Sequence, residues 1–269
     1  IDSAGPEIPG ADDDGSGCAT VLEVARVFGM RTMQATLVFC CFGGEEQGLQ
    51  GSKRFATFFP GIDRVALMLQ VDMANGLGVI DIDPDTRGAS APSWLVRAAA
   101  GEFTRLGYTN LRYPTHFFSM NYALGTGSGS DHEPFLDRGI PAIDLTTDVG
   151  KPIHTPRDNF QNFQPAGMKR TGDVIVRLIE RFDAGQPGRQ VEEYWLYLLG
   201  ATPVFVPIGG LWILAIGAVA IAVIAVTGVR RRRDPAGAPD RIRWPGLKML
   251  LFTVIIVSCG WLSSDLIGL

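Results

Sequence analysis

The segment FGGEEQGLQGS (residues 42–52) sets Glu45 and Glu46 side by side directly after the apolar run ATLVFCC, with no basic residue beside them until Lys53. Neighbouring side chains on an extended or turning backbone diverge. Two adjacent carboxylates can therefore serve different partners, one a cation and the other a water. Glu-Glu pairs are also common on solvated helix faces. Which reading holds depends on whether other ligand-type residues stand at the ends of other apolar runs.

Several do. GADDDGSG (10–17) places Asp12, Asp13 and Asp14 just before a helical pattern. Capping and the helix dipole account for one or two acids there, less easily for three in succession. Asp72 closes the apolar run VALMLQV (65–71), and SDHEPF (130–135) carries Asp131 and His132 ahead of a short helix, which Asp131 either caps or leaves free to reach a site. PIHTPRD (152–158) carries His154 with Asp158 four residues on. A metal-bound imidazole needs such an acceptor for its second nitrogen. The chain has three histidines, and His116, in a Tyr/Pro/Phe-rich loop, has no ligand context. A lone histidine is more often structural. Four acidic groups at the ends of apolar runs, with one histidine so supported, nevertheless favour a carboxylate-rich metal site over coincidence.

The elements that must carry these groups alternate short apolar runs with helical periodicity, the pattern of an α/β layer structure. Helices are expected at 17–29, 49–59, 93–106 and 166–182, and strands at 36–42, 65–71, 78–82 and 142–145. This part, residues 1–184, holds 16 Lys+Arg against 23 Asp+Glu, net −7, whereas residues 185–269 hold 8 against 5, net +3. An acidic domain without a basic stripe excludes nucleic acid as a partner and suits cations and amines. After a breaker-rich linker at 185–193, residues 194–229 contain no charge, and 208–229 (IGGLWILAIGAVAIAVIAVTGV) is long enough to cross a bilayer as a helix. A second span is expected at 249–266, so 194–269 reads as a membrane region contacting the lipid bilayer. Trp195, Tyr197, Trp244 and Trp261 flank the apolar runs as interfacial anchors would. Arg230 to Arg233 lie in the connector between the spans, which the positive-inside tendency places in the cytoplasm and the acidic domain outside it. The four cysteines form no readable disulfide framework: Cys18 falls in an expected helix, Cys40 and Cys41 in an expected buried strand, and Cys259 in an expected span. The oligomeric state has no signature.

The order of these motifs resembles the co-catalytic di-zinc aminopeptidases, the family of secreted bacterial aminopeptidases that also includes glutamate carboxypeptidase and glutaminyl cyclase relatives. The resemblance runs from the start of the chain to about Phe160, through DDDGSG, EEQGLQGS, DM, SDHEPF and HTPRD. It implies a mostly parallel or mixed sheet between helices, followed here by transmembrane helices. It also implies two zinc ions: Asp13 bridging both, Glu46 and His154 on one, and Asp72 on the other with a histidine that would precede Ile1. Asp2 matches the acid that orients that histidine, and Asp131 and Asp158 match positions beside the site. Glu45 matches the general base acting on a water activated by the two zincs. The chain is accordingly expected to be a fragment of a membrane-anchored aminopeptidase cleaving N-terminal peptide bonds outside the cytoplasm. Glutaminyl cyclase-like acyl transfer is the enzymatic alternative. An inactive receptor or scaffold ectodomain is the other, and it usually shows substituted ligands. One departure is Ile153, where many relatives have a tyrosine whose hydroxyl assists the oxyanion.

Overall fold

The computed structural model describes residues 3–83, 89–112, 129–147, 152–188, 194–199 and 202–207, with single positions between 209 and 223. Residues Ile1–Phe205 form one compact unit and Val206–Leu269 a second. The first contains a four-stranded sheet of β1 (Met68–Val71), β2 (Ile80–Asp83), β3 (Leu111–Arg112) and β4 (Ala142–Thr147), in the order β1-β4-β2-β3. β1 runs parallel to β4, with Val71 opposite Leu145. β2 runs parallel to β3 but antiparallel to β4, which sets Asp83 opposite Asp144. The sheet is thus mixed. Every residue of the central strand β4 is buried, as expected where both faces and both edges are covered.

Five α-helices accompany the sheet among the described residues: α1 (Gly15–Phe28), α2 (Gln50–Phe58), α3 (Ser93–Arg105), the short α4 (Glu133–Leu136) and α5 (Ala166–Phe182). α5 buries Gly167, Arg170, Thr171, Val174, Ile175 and Leu178, a stripe at the 3.6-residue period. It packs against α1 and α3. The start of α1 abuts the end of β1 so closely that a Cβ on Gly17 would lie 2.2 Å from the Val71 carbonyl oxygen. Only glycine fits there, and the contact fixes the Asp12–Asp14 loop at the carboxyl end of the parallel strands. This is the end of an open α/β sheet where ligands bind.

The structure differs from expectation at two places. Residues 36–42 have no strand assignment, and Val38 and Phe39 are substantially exposed. An apolar pattern encodes burial, but a strand also needs a hydrogen-bonding neighbour, and none pairs with this segment among the described residues. It borders instead a cavity of about 560 Å³ whose other walls include Val24, Leu69, Ile175 and Phe182. Consequently Cys41 is exposed and Cys40 half-buried, not sealed in a strand. Secondly, the start of the charge-free region forms a two-stranded sheet of β5 (Tyr194–Leu199) and β6 (Thr202–Pro207), in keeping with its aromatic and β-branched residues. Tyr194 Oη donates to the Ala91 carbonyl at 2.7 Å, and the Arg97 guanidinium lies 4.2 Å from the Phe205 ring centre. Among the described residues no helix is long and apolar enough to cross a membrane. Most of 208–229 and all of 249–266 lie outside the described residues, as do His116 and Asp2.

Candidate metal centre

The three consecutive aspartates before α1 do three different things. Asp14 is the helix N-cap, accepting from the Gly17 amide at 2.9 Å, the expected use of a carboxylate at that position. Asp12 is buried and points the other way, accepting from Ser16 Oγ at 3.1 Å and from Asn75 Nδ2 at 2.9 Å. Asp13 is held from behind. The Asp158 carboxylate accepts the Asp12 amide at 2.7 Å and the Asp13 amide at 3.1 Å, one on each oxygen. That leaves the Asp13 side chain facing outward.

What Asp13 faces is His154 and Glu46. His154 Nε2 lies 2.9 Å from Asp13 Oδ2 and 2.9 Å from Glu46 Oε1. One ligand atom from each of the three residues falls within 4.8 Å of both others. Ligand atoms around a tetrahedral ion with bonds of about 2.0 Å are separated by roughly 3.3 Å, so the spacing suits a small cation. The angles matter as much as the distances. Glu46 Oε1 is buried and accepts no hydrogen bond, although the imidazole nitrogen is at hand. Two carboxylate oxygens and an imidazole nitrogen thus lie close enough together to share one small ion. His154 reaches that point from a turn in which its own φ is +57°, and its side chain is 53% exposed, so the point is open to solvent.

Glu45, Asp72 and Asp131 line the adjoining pocket of about 70 Å³ together with Asp13, Asp14 and Glu46. The Glu45–Glu46 loop is shaped by Gly44 and Gly48 at positive φ, and by a close approach at Gly51, where a Cβ would sit 2.6 Å from the Gly43 carbonyl oxygen. Asp72, just past β1, accepts from Ser130 Oγ at 3.1 Å, and Ser130 in turn accepts from Gln70 Nε2 at 2.5 Å. Asp131 accepts from Ser52 Oγ at 2.5 Å. The N-cap of α4 is His132, which makes no side-chain cap hydrogen bond.

So many acids in one place suppress each other's ionisation. Burial, then the charge of Glu46, raises Asp13 to about 6, with His154 pulling the other way. Burial and then Asp13 raise Asp72 to about 7 against the Ser130 hydrogen bond. Burial followed by Asp72, Glu46, Asp131 and Asp13 raises Glu45 to about 8. A cation at the point shared by Asp13, Glu46 and His154 would reverse this balance, since opposite charge favours the carboxylate form.

Comparison with known proteins identifies the family. The sequence matches the model of "Peptidase family M28" over residues 1–179. The chain belongs to that family. Among curated M28-like relatives, "Aminopeptidase YwaD" of Bacillus subtilis is 28% identical over 189 residues, covering 65% of this chain and 38% of that protein. A "Probable zinc metalloprotease" of Pyrenophora tritici-repentis is 43% identical over 191 residues, covering 62% and 43%. Among solved structures, an aminopeptidase from Aneurinibacillus sp. strain AM-1 superposes with a TM-score of 0.56 at 28% identity, over 77% of this chain and 45% of that one. The chain therefore spans less than half the length of these relatives.

Of the residues singled out in the M28 motifs, the structure gathers Asp13, Glu46 and His154 into one cluster and sets Glu45, Asp72 and Asp131 around the adjoining pocket. Asp158 serves as the anchor of the Asp12–Asp13 backbone. Gln70, Ser130 and Asn75 were not anticipated. Ser130 stands in the SDHEPF motif beside Asp131, and Gln70 lies two residues before Asp72 on the same side of the strand, the period that sends side chains one way. Asn75 carries no local signal.

Proposed function

We propose that this chain carries the general base and one complete ion site of a membrane-anchored zinc aminopeptidase acting outside the cytoplasm. The observation that carries the reading is the convergence of Asp13, Glu46 and His154, with Glu46 Oε1 buried and His154 Nε2 2.9 Å from it. Two carboxylates and an imidazole are donors that zinc accepts; of the relatives, one is named an aminopeptidase and the other a probable zinc metalloprotease. The arginine-rich connector at 230–233 supports the proposed orientation.

The residues present fit the metal, and their division of labour follows from position. When bound, zinc would polarise a peptide carbonyl and make a nearby water more acidic. Asp13, Glu46 and His154 would hold the ion. Glu45 belongs to the neighbouring pocket, not the ligand cluster. Its task is to take a proton from the attacking water and deliver it to the leaving amine nitrogen. A carboxylate in that position can take up and return a proton within reach of the attacking water. Asp72, held by Ser130 and Gln70, lines the same pocket and would serve a second ion. The acidic surroundings suit the ammonium group of a peptide N-terminus.

Two measurements on one variant test this. The 269-residue chain is expected to take up about one zinc tightly, through a set of three protein ligands. In a chain extended upstream to include the further histidine, Glu45→Gln should retain its zinc while hydrolysis of aminoacyl-nitroanilides falls about 10² to 10⁴-fold in kcat. Loss of zinc in Glu45→Gln, or unchanged turnover, would remove Glu45 from the role of base.

A further inference from the structure

We propose that Cys18 and Cys41 form a redox pair whose disulfide ties the Asp13 loop to the Glu45–Glu46 loop. Cys18 lies in the first turns of α1, four residues after the N-cap, and its Sγ donates to Asp14 Oδ2 at 3.8 Å. Its thiol is also in hydrogen-bond contact with that of Cys41. Both cysteines line the small acidic pocket, Cys18 buried and Cys41 exposed. Cys41 stands four residues before Glu45, and Cys18 five after Asp13. A bond between them would bracket the site. Cys40 also lines this pocket, but successive side chains on an extended segment point apart, Cys40 borders the apolar cavity as well, and the thiol in contact with Cys18 is that of Cys41.

The chemistry is a thiol–disulfide exchange with a small-molecule disulfide such as oxidised glutathione. The exposed Cys41 thiolate attacks one glutathione sulfur, forming a mixed disulfide and releasing a glutathione thiolate. Cys18 then attacks the Cys41 sulfur, the protein S–S bond forms, and the second glutathione thiolate leaves. The two thiol protons end on the two released glutathiones, so two protein thiols are oxidised and one disulfide is reduced. Closure to an S–S bond of about 2.05 Å demands movement. It falls on residues 36–41, which carry no strand pairing among the described residues, since α1 is pinned through Gly17 against Val71. Burial, then the contact with Cys41, holds Cys18 in its thiol form, which makes the second step the slow one.

The bridge limits how far Asp13 and Glu46 can separate, so it should slow metal release; this consequence, unlike the bond itself, rests on the zinc reading above. The full chain is incubated with oxidised glutathione, blocked with iodoacetamide, digested and mapped by mass spectrometry. The expected product links Cys18 to Cys41 and leaves Cys40 alkylated. Glutathione retained on Cys41 beside alkylated Cys18, or a Cys40–Cys41 link, overturns the pairing whatever the metal does. Zinc release into a chelator is then timed for oxidised and reduced protein, with Cys18→Ser as the form that cannot be bridged. Release about tenfold slower in the oxidised wild type alone supports the clamp. Equal rates with the bridge in place refute the clamp and leave the zinc site standing, whereas a mapped bridge in a chain that takes up no zinc removes the site and the clamp with it.

Discussion

Asp158→Asn tests whether the site is held from behind as the geometry requires. Each Asp158 oxygen accepts one backbone amide, that of Asp12 at 2.7 Å and that of Asp13 at 3.1 Å. Asparagine keeps one acceptor and turns an NH₂ group toward the other amide. A hydrogen bond to a charged group contributes about 1.5–3 kcal/mol and a neutral one about 0.5–1.5, so losing one and weakening the other costs roughly 2–4 kcal/mol. Part of that is returned, because the Asp158 charge contributes to the repulsion that raises Asp13. The net expectation is about 1–3 kcal/mol. For a domain of this size each kcal/mol lowers Tm by roughly 2–4 °C, giving a drop between about 2 and 12 °C. Asp158→Ala leaves both amides without an acceptor and should fall further. The assay is thermal unfolding of metal-free wild type and both variants at one pH. Unchanged melting in both variants, or asparagine more damaging than alanine, would refute the anchoring role.

Other outcomes follow from the same structure. Asp13, Asp72 and Glu45 all have folded-state values raised above 3.8 or 4.5, to about 6, 7 and 8. The folded chain thus binds more protons than the unfolded chain between these limits, and metal-free stability should fall as pH rises from about 4 to 8; a higher metal-free Tm at pH 8 than at pH 5 would contradict this. Gly17→Ala should cost on the order of 3 kcal/mol in a thermal melt, since the new methyl meets the Val71 carbonyl at 2.2 Å. Gly101→Ala in α3, with nothing within 4 Å, should instead be neutral or stabilising by about 0.5–1 kcal/mol. Protease added to the cytoplasmic side of sealed vesicles should spare residues 1–184, and their digestion would overturn the proposed orientation.

Much of this site was legible because its groups sit where local patterns end. The α5 stripe runs through Ala166–Phe182 as the periodicity predicts, and Asp13, Glu46 and His154 each follow a glycine- or proline-marked turn, so their types and order were visible before their meeting point. What the pattern could not carry was partnership. Residues 36–42 have a strand's composition but no strand pairing among the described residues. The aromatic run at 194–207 is equally apolar whether it faces lipid or a neighbouring strand, and the structure pairs it. Arg170 is the sharpest case. It sits on the buried stripe of α5 at 2% exposure and donates to the carbonyls of Gly78 at 2.6 Å and Gly76 at 3.3 Å. Its acceptors are backbone atoms more than ninety residues away, which no side-chain pattern can announce.

The turn at 152–158 supplies both His154, which faces the ion site, and Asp158, which holds the backbone of Asp13. Ligand and brace therefore rise and fall together. If this one turn lifts, the imidazole leaves and the opposite loop loses its hold in the same event, so on the proposed reading capture and loss of metal would be nearly all-or-none. The brace also joins positions 146 residues apart in the chain, a closure that is slow to form. A ribosome must deliver this turn before the loop near residue 13 can be set, and until then the growing chain holds an acidic loop with no competence to retain an ion.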